Sequence, residues 1–117
     1  MSGNGFVLIY RKIMESEVWH NPKLLKVWLW CLMEANWQDR IATITAGQGT
    51  KSVMVRRGQL LFGRFEAARA LELPPSTVRN LVAKLVNIGN LDTNPDRHYT
   101  LLTVCNYNAY QDMQNDN

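Results

Sequence analysis

The chain has 117 residues, 46% of them hydrophobic and 20% charged, with a formal net charge of +3. That is one domain with enough apolar side chains for a modest core, and it excludes a disordered polyelectrolyte. No apolar run is long enough to span a membrane, and MSGNGF shows no signal-peptide pattern. Cys31 and Cys105 make no disulfide framework, so free thiols and a cytoplasmic location are expected.

Gly5 to Tyr10 (GFVLIY) reads as a short strand or an extended arm, within an N-terminal extension of about residues 1–20. A short helix can begin between Tyr10 and Met14. Glu15 and Glu17 read as solvated charges, and Trp19 and His20 fall in a connection. Asn21-Pro22 is a helix start, Asn as the cap and Pro in the first position. That helix is expected to reach about Asn36. Its side chains from Leu24 to Met33 are nearly all apolar, so it needs cover on more than one side. Part of that cover is expected from a second subunit, with Phe6, Leu8, Trp19, Trp28 and Trp30 as interface residues.

Ile41 to Thr45 and Ser52 to Arg57 are β-rich and flank AGQGTK, which predicts a hairpin with Gly47 and Gly49 at its tip. The loop superficially looks like a phosphate-binding loop. That loop needs glycines where this chain has Thr45 and Thr50, and it joins a strand to a helix, so nucleotide binding is not expected.

Gly58 to Leu91 is the most informative stretch. A helix from about Arg64 to Leu71 should make contact through Phe65, Ala68 and Leu71, and a second helix follows Pro74-Pro75. In the second helix Val78, Leu81, Val82, Leu85 and Ile88 recur at helical spacing, and Gly89 closes it. The polar positions between them are small, amide or basic, and none is acidic. This is the layout of a helix-turn-helix at about residues 63–89, whose second helix can enter a DNA major groove. An αα-hairpin with a solvated polar face has the same spacing.

Leu91 to Thr93 and Tyr99 to Cys105 then form a second hairpin around NPDRH, in the place of a wing at about residues 91–105. The two tyrosines of NYNAYQDMQNDN are expected to pack back on the body, and residues from about 111 to 117 to fray. The fold expected is α+β: a winged helix-turn-helix with an N-terminal extension and two small β-hairpins.

Charge supports a polyanionic partner. Residues 51–84 carry seven cations (Lys51, Arg56, Arg57, Arg64, Arg69, Arg79 and Lys84) against Glu66 and Glu72, a net of +5. From Asp92 onward Arg97 stands against four aspartates, a net of −3. The candidate DNA contacts are Thr77, Arg79, Asn80, Ala83 and Lys84 at the groove, Ser76, Arg64 and Arg69 at phosphates, and Arg97 from the wing. His20, Cys31, His98 and Cys105 lie at no metal-ligand spacing. No metal, cofactor or catalytic group is expected, and the four tryptophans read as core or interface.

The segments GFVLIYRKIMESEVWHNPKLLKVWLWCLMEAN, VRRGQLLFGR, STVRNLVAKLVNIGNL and YTLLTVCNYNAYQ together resemble the N-terminal winged-helix domain of phage replisome organisers and DnaD-type primosomal proteins. The resemblance covers residues 5 to 111. It implies origin or single-strand DNA binding, self-association, recruitment of a helicase-loading partner, and a further domain that such domains often precede. Two departures stand out. Glu72 occupies a turn position that usually holds Gly, and Pro74 replaces the usual Ser or Thr cap of the second helix, unless Ser76 caps a later start. A transcriptional regulator on the same fold and a protein-interaction module are the alternatives; an enzyme has the least support.

Overall fold

The computed structural model describes residues 5–112. Gly5 to Tyr10 is an extended arm that joins no sheet. Its backbone is held by a side chain: Gln111 accepts from Leu8 N–H at 2.9 Å and returns a bond to Leu8 O at 3.1 Å. Tyr10 adds a hydroxyl bond to Tyr110 O at 2.9 Å, and the two rings meet edge to face. Two 3-10 turns follow, Arg11–Glu15 and Glu17–His20. The expected frayed tail lies, from residue 113 on, outside the described residues; Tyr107–Gln111 itself is helical.

Helix α1 spans Pro22–Glu34. Asn21 caps it as expected, accepting Leu24 N–H at 3.2 Å. The helix buries Leu24, Val27, Cys31 and Leu32. Trp28 and Trp30, expected at a subunit interface, are half-buried and pack against the chain's own core. Leu29 and Met33 lie on the opposite side, and Met33 is 55% exposed.

Strands β1 (Arg40–Ala46) and β2 (Gly49–Val55) pair in antiparallel register from Arg40↔Val55 to Ala46↔Gly49. The six-residue loop AGQGTK contracts to a tight turn at Gly47 and Gln48, because the regular β alternation continues through Thr45, Thr50 and Lys51. Strand β3 is Gln59–Phe62. Gly58 enters it at φ 85°, where an added Cβ would lie 2.9 Å from Tyr107 Cβ, so backbone and ring touch there.

Helix α2 spans Arg64–Leu71 and helix α3 spans Pro75–Asn87. The expected contact through Phe65 is overturned, since that ring is 63% exposed. The other expected contacts, Ala68 and Leu71, are buried together with Ala67, and the two alanines leave room for α3 to pack on α2. Glu72 takes the left-handed conformation at φ 58°, a strain of roughly 1–2 kcal/mol for a residue with a Cβ. The turn is retained because Leu73 N–H reaches Ala68 O at 3.1 Å and Lys26 Nζ of α1 donates to Leu71 O at 2.8 Å. Val78, Val82 and Leu85 are buried on α3, with Leu81 and Ile88 packed beside them. Gly89 N–H and Asn90 N–H close α3 on Val86 O and Leu85 O, with Gly89 at φ 90°.

Strands β4 (Leu91–Pro95) and β5 (Thr100–Val104) form the second hairpin, and short helix α4 is Tyr107–Gln111. The three-stranded sheet runs β3-β5-β4. Its two faces differ. Leu60, Leu91, Leu102 and Val104 face the helices in the main core. Leu61, Tyr99 and Leu101 face the β1–β2 hairpin and meet Val53, Val55, Ala42 and Ile44. The period-two alternation of β3 and β5 supplies both faces. Among the described residues the result is an α+β fold with four α-helices and two small antiparallel sheets.

Candidate nucleic-acid interface

Helix α3 sets the geometry. Its apolar stripe is buried, so its other side must face outward. Ser76, Asn80 and Ala83 are exposed along the centre of that outer side, and so is Asn87, a polar position of the helix that was not among the candidate contacts. The spacing 76, 80, 83, 87 is one helical face and was available in the sequence. Arg79 and Lys84 are exposed on opposite flanks of it, and Thr77 is half-buried on the Lys84 flank. Six of the expected contacts thus share one side of one helix.

The helix begins without a side-chain cap. Pro74 is the cap residue and offers no acceptor; Ser76 lies inside the helix and does not cap it. The first backbone N–H groups of α3 are therefore left for solvent or an anion.

The other expected contacts are spread around this helix. Arg64 and Arg69 are exposed on α2, with the Arg64 guanidinium 4.9 Å from the centre of the Phe65 ring. Arg97 is exposed in the β4–β5 turn, where its backbone N–H donates to Asp96 Oδ1 at 2.6 Å. The Asp96 carboxylate also lies 3.9 Å from Lys51 Nζ, which sits 5.4 Å from the centre of the Tyr99 ring.

The basic count needs correction in detail. Among the described residues four of the seven cations in 51–84 are matched by carboxylates. Lys51 pairs with Asp96, Arg56 with Asp39 at 3.7 Å, Arg57 with Asp112 at 2.8 Å, and Lys84 with Glu17 at 3.3 Å. Glu17 is exposed, as expected of a solvated charge, and also pairs with Lys84. Arg57 is a packing residue: its guanidinium lies over the Tyr107 ring at 5.2 Å and also reaches Trp37 O. No carboxylate partner lies within ion-pair distance of Arg64, Arg69 or Arg79 among the described residues. Every acidic partner is distant in sequence from its cation, so composition alone could not show the pairing.

The expected interface residues divide as well. Phe6 is 65% exposed and Trp19 45%. Leu8 is half-buried and, with Trp28, lines a cavity of about 460 Å³ beneath the arm.

Neither thiol suggests chemistry. Burial, with Glu34 nearby, pushes the Cys31 thiol up to about 12, and burial followed by Asp92 raises that of Cys105. Among the described residues no cluster of three or more side chains suited to a metal occurs, and no helix is long and apolar enough to cross a membrane. Comparison with known proteins gives no match: no family model, no curated protein and no solved structure matches the chain.

Proposed function

We propose that the chain is a winged helix-turn-helix DNA-binding protein of replication initiation, of the phage replisome organiser or DnaD-like kind, acting in the bacterial cytoplasm or nucleoid. The observation that carries the reading is the outer side of α3. It presents Ser76, Thr77, Arg79, Asn80, Ala83, Lys84 and Asn87 with no acidic side chain of its own. Arginine and asparagine in such a position match guanine and adenine edges. The order α1, β3, α2, α3, β4, β5 with sheet order β3-β5-β4 supports the winged form, with the β4–β5 turn as wing. Arg64, Arg69 and Arg97 would then hold phosphates around the reading helix. The reading includes no catalytic step and no cofactor.

Self-association belongs to this reading. Phe6, Trp19, Leu29 and Met33 are apolar side chains left wholly or partly uncovered. A second copy would cover them, and a helicase-loading protein is the further partner. Sedimentation at micromolar concentration tests this: a strict monomer throughout removes the self-association.

The test of the DNA reading is a titration with duplex and single-stranded DNA at two salt concentrations. Affinity should fall steeply with salt, because phosphate contacts release counterions. Absence of binding to either form would overturn the reading. One observation favours a protein-interaction module instead. Ile41 and Met54 are cross-strand partners, 63% and 42% exposed, on the outer face of the β1–β2 hairpin. Salt-insensitive binding to another protein, without DNA binding, would select that reading.

A further inference from the structure

The Glu17 carboxylate lies 3.3 Å from Lys84 Nζ, so the 3-10 turn Glu17–His20 places a negative charge against one flank of the outer side of α3. We infer that Glu17 is an internal competitor for the DNA backbone, holding the Lys84 cation in the free protein and weakening phosphate binding at that flank. This rests on the DNA-binding reading of α3.

A helix lying in the major groove has a phosphate backbone along each flank. Arg79 lies near the N-terminal end of α3, the end that meets base edges, and Lys84 lies farther along on the opposite flank. Lys84 is therefore the α3 cation placed for the second backbone. Glu17 occupies that cation before DNA arrives. Both side chains are about half exposed, so the pair is solvated and separates at little cost. Separation does not remove the carboxylate. It stays tethered through the short turn, whose Val18 is buried in the core, and so remains within reach of Lys84. Phosphate therefore competes with Glu17 for Lys84 on any DNA sequence, whereas base contacts made by Arg79 are untouched. Glu17 thus lowers non-specific affinity, which is carried almost wholly by phosphates, and leaves sequence readout to the rest of the helix.

The prediction differs from a general charge effect because it names Lys84 as the group through which Glu17 acts. The measurement is the affinity of a labelled mixed-sequence duplex between about 0.05 and 0.2 M salt, for wild type, Glu17→Gln, Glu17→Lys, Lys84→Gln and the double variant Glu17→Gln/Lys84→Gln. Thermal midpoints show that each variant is folded. Glu17→Gln should tighten binding about twofold to fivefold at the lower salt and steepen the salt dependence by about one unit. Glu17→Lys should tighten it further. In the Lys84→Gln background the gain from Glu17→Gln should shrink to less than half. No gain in the wild-type background, or an equal gain in both, overturns the proposal. Arg79→Ala on a preferred duplex separates the two ideas: if it weakens binding there while Glu17→Gln changes nothing, the α3 reading stands and the competition is wrong. If wild type binds no DNA, both fall.

Discussion

Helices α1 and α3 are both 13 residues long and both belong to the main core, yet they treat their outer sides differently. α3 separates its residues cleanly. Val78, Val82 and Leu85 go inward, and amide, hydroxyl and basic groups go outward. α1 keeps apolar side chains almost all round, so after Leu24, Val27 and Cys31 are buried, Leu29 and Met33 remain on the far side. A domain this small cannot wrap every face of a helix. The two surplus faces therefore differ in chemistry: hydroxyl, amide and basic groups on α3, apolar side chains on α1.

The largest expected effect tests the inward side of α3. Leu85 is fully buried, so Leu85→Ala should destabilise the fold by about 2–5 kcal/mol through lost burial and a cavity. Denaturant midpoints measure it, and values equal to wild type would mean that the stripe does not face the core. The inward side of α1 is tested by pH. The Cys31 thiol is raised by burial from 9.0 to about 12, so folding keeps it protonated where an unfolded chain would ionise. Stability from this group is full below about pH 9 and is lost as pH rises from there toward 12. Cys31→Ala should flatten that alkaline loss, as followed by urea midpoints across the range.

Smaller effects sharpen the comparison at the turn that aims α3. Glu72 is strained at φ 58°, and Glu72→Gly should raise stability by about 1 kcal/mol with DNA affinity unchanged. A drop in the thermal midpoint would mean that its side chain contributes more than the strain costs. On the outer side of α1, Met33→Ser should leave the unfolding midpoint within about 0.5 kcal/mol of wild type while lowering any self-association seen by sedimentation.

How much of this was legible in the sequence depends on the range of the interaction that decides each feature. α2, the start of α3 at Pro75 and its end at Gly89 were readable because caps, prolines and helical period act within a few residues. The strained Glu72 was readable only from the resemblance, as a departure from the Gly that such turns usually hold. The tip of the first hairpin was not. Its strands extend through Thr45 and Thr50 because pairing continues, a fact set between strands and not within either. Phe65 was misplaced because the buried face of α2 follows where α3 packs, and two alanines sit closer to it than a ring could. At the candidate site Arg79, Asn80 and Ala83 were placed correctly on the outer side, since periodicity alone decides that. The neutralisation of Lys84 by Glu17, and of Arg57 by Asp112, was invisible because those partners meet only in the fold.

The central claim is that the outer side of α3 reads DNA, and the most direct measurement compares Arg79→Ala with Arg69→Ala. Each is titrated against a preferred duplex selected from a random library and against unselected duplexes, over a range of salt. Arg79→Ala should lose about 1–3 kcal/mol on the preferred duplex and discriminate less between sequences. Arg69→Ala, exposed on α2, should lose about the same on every sequence and reduce the salt slope by about one unit. An Arg79→Ala protein that is folded and binds every duplex as tightly as wild type would contradict the account, and Arg97 in the β4–β5 turn would become the next residue to test.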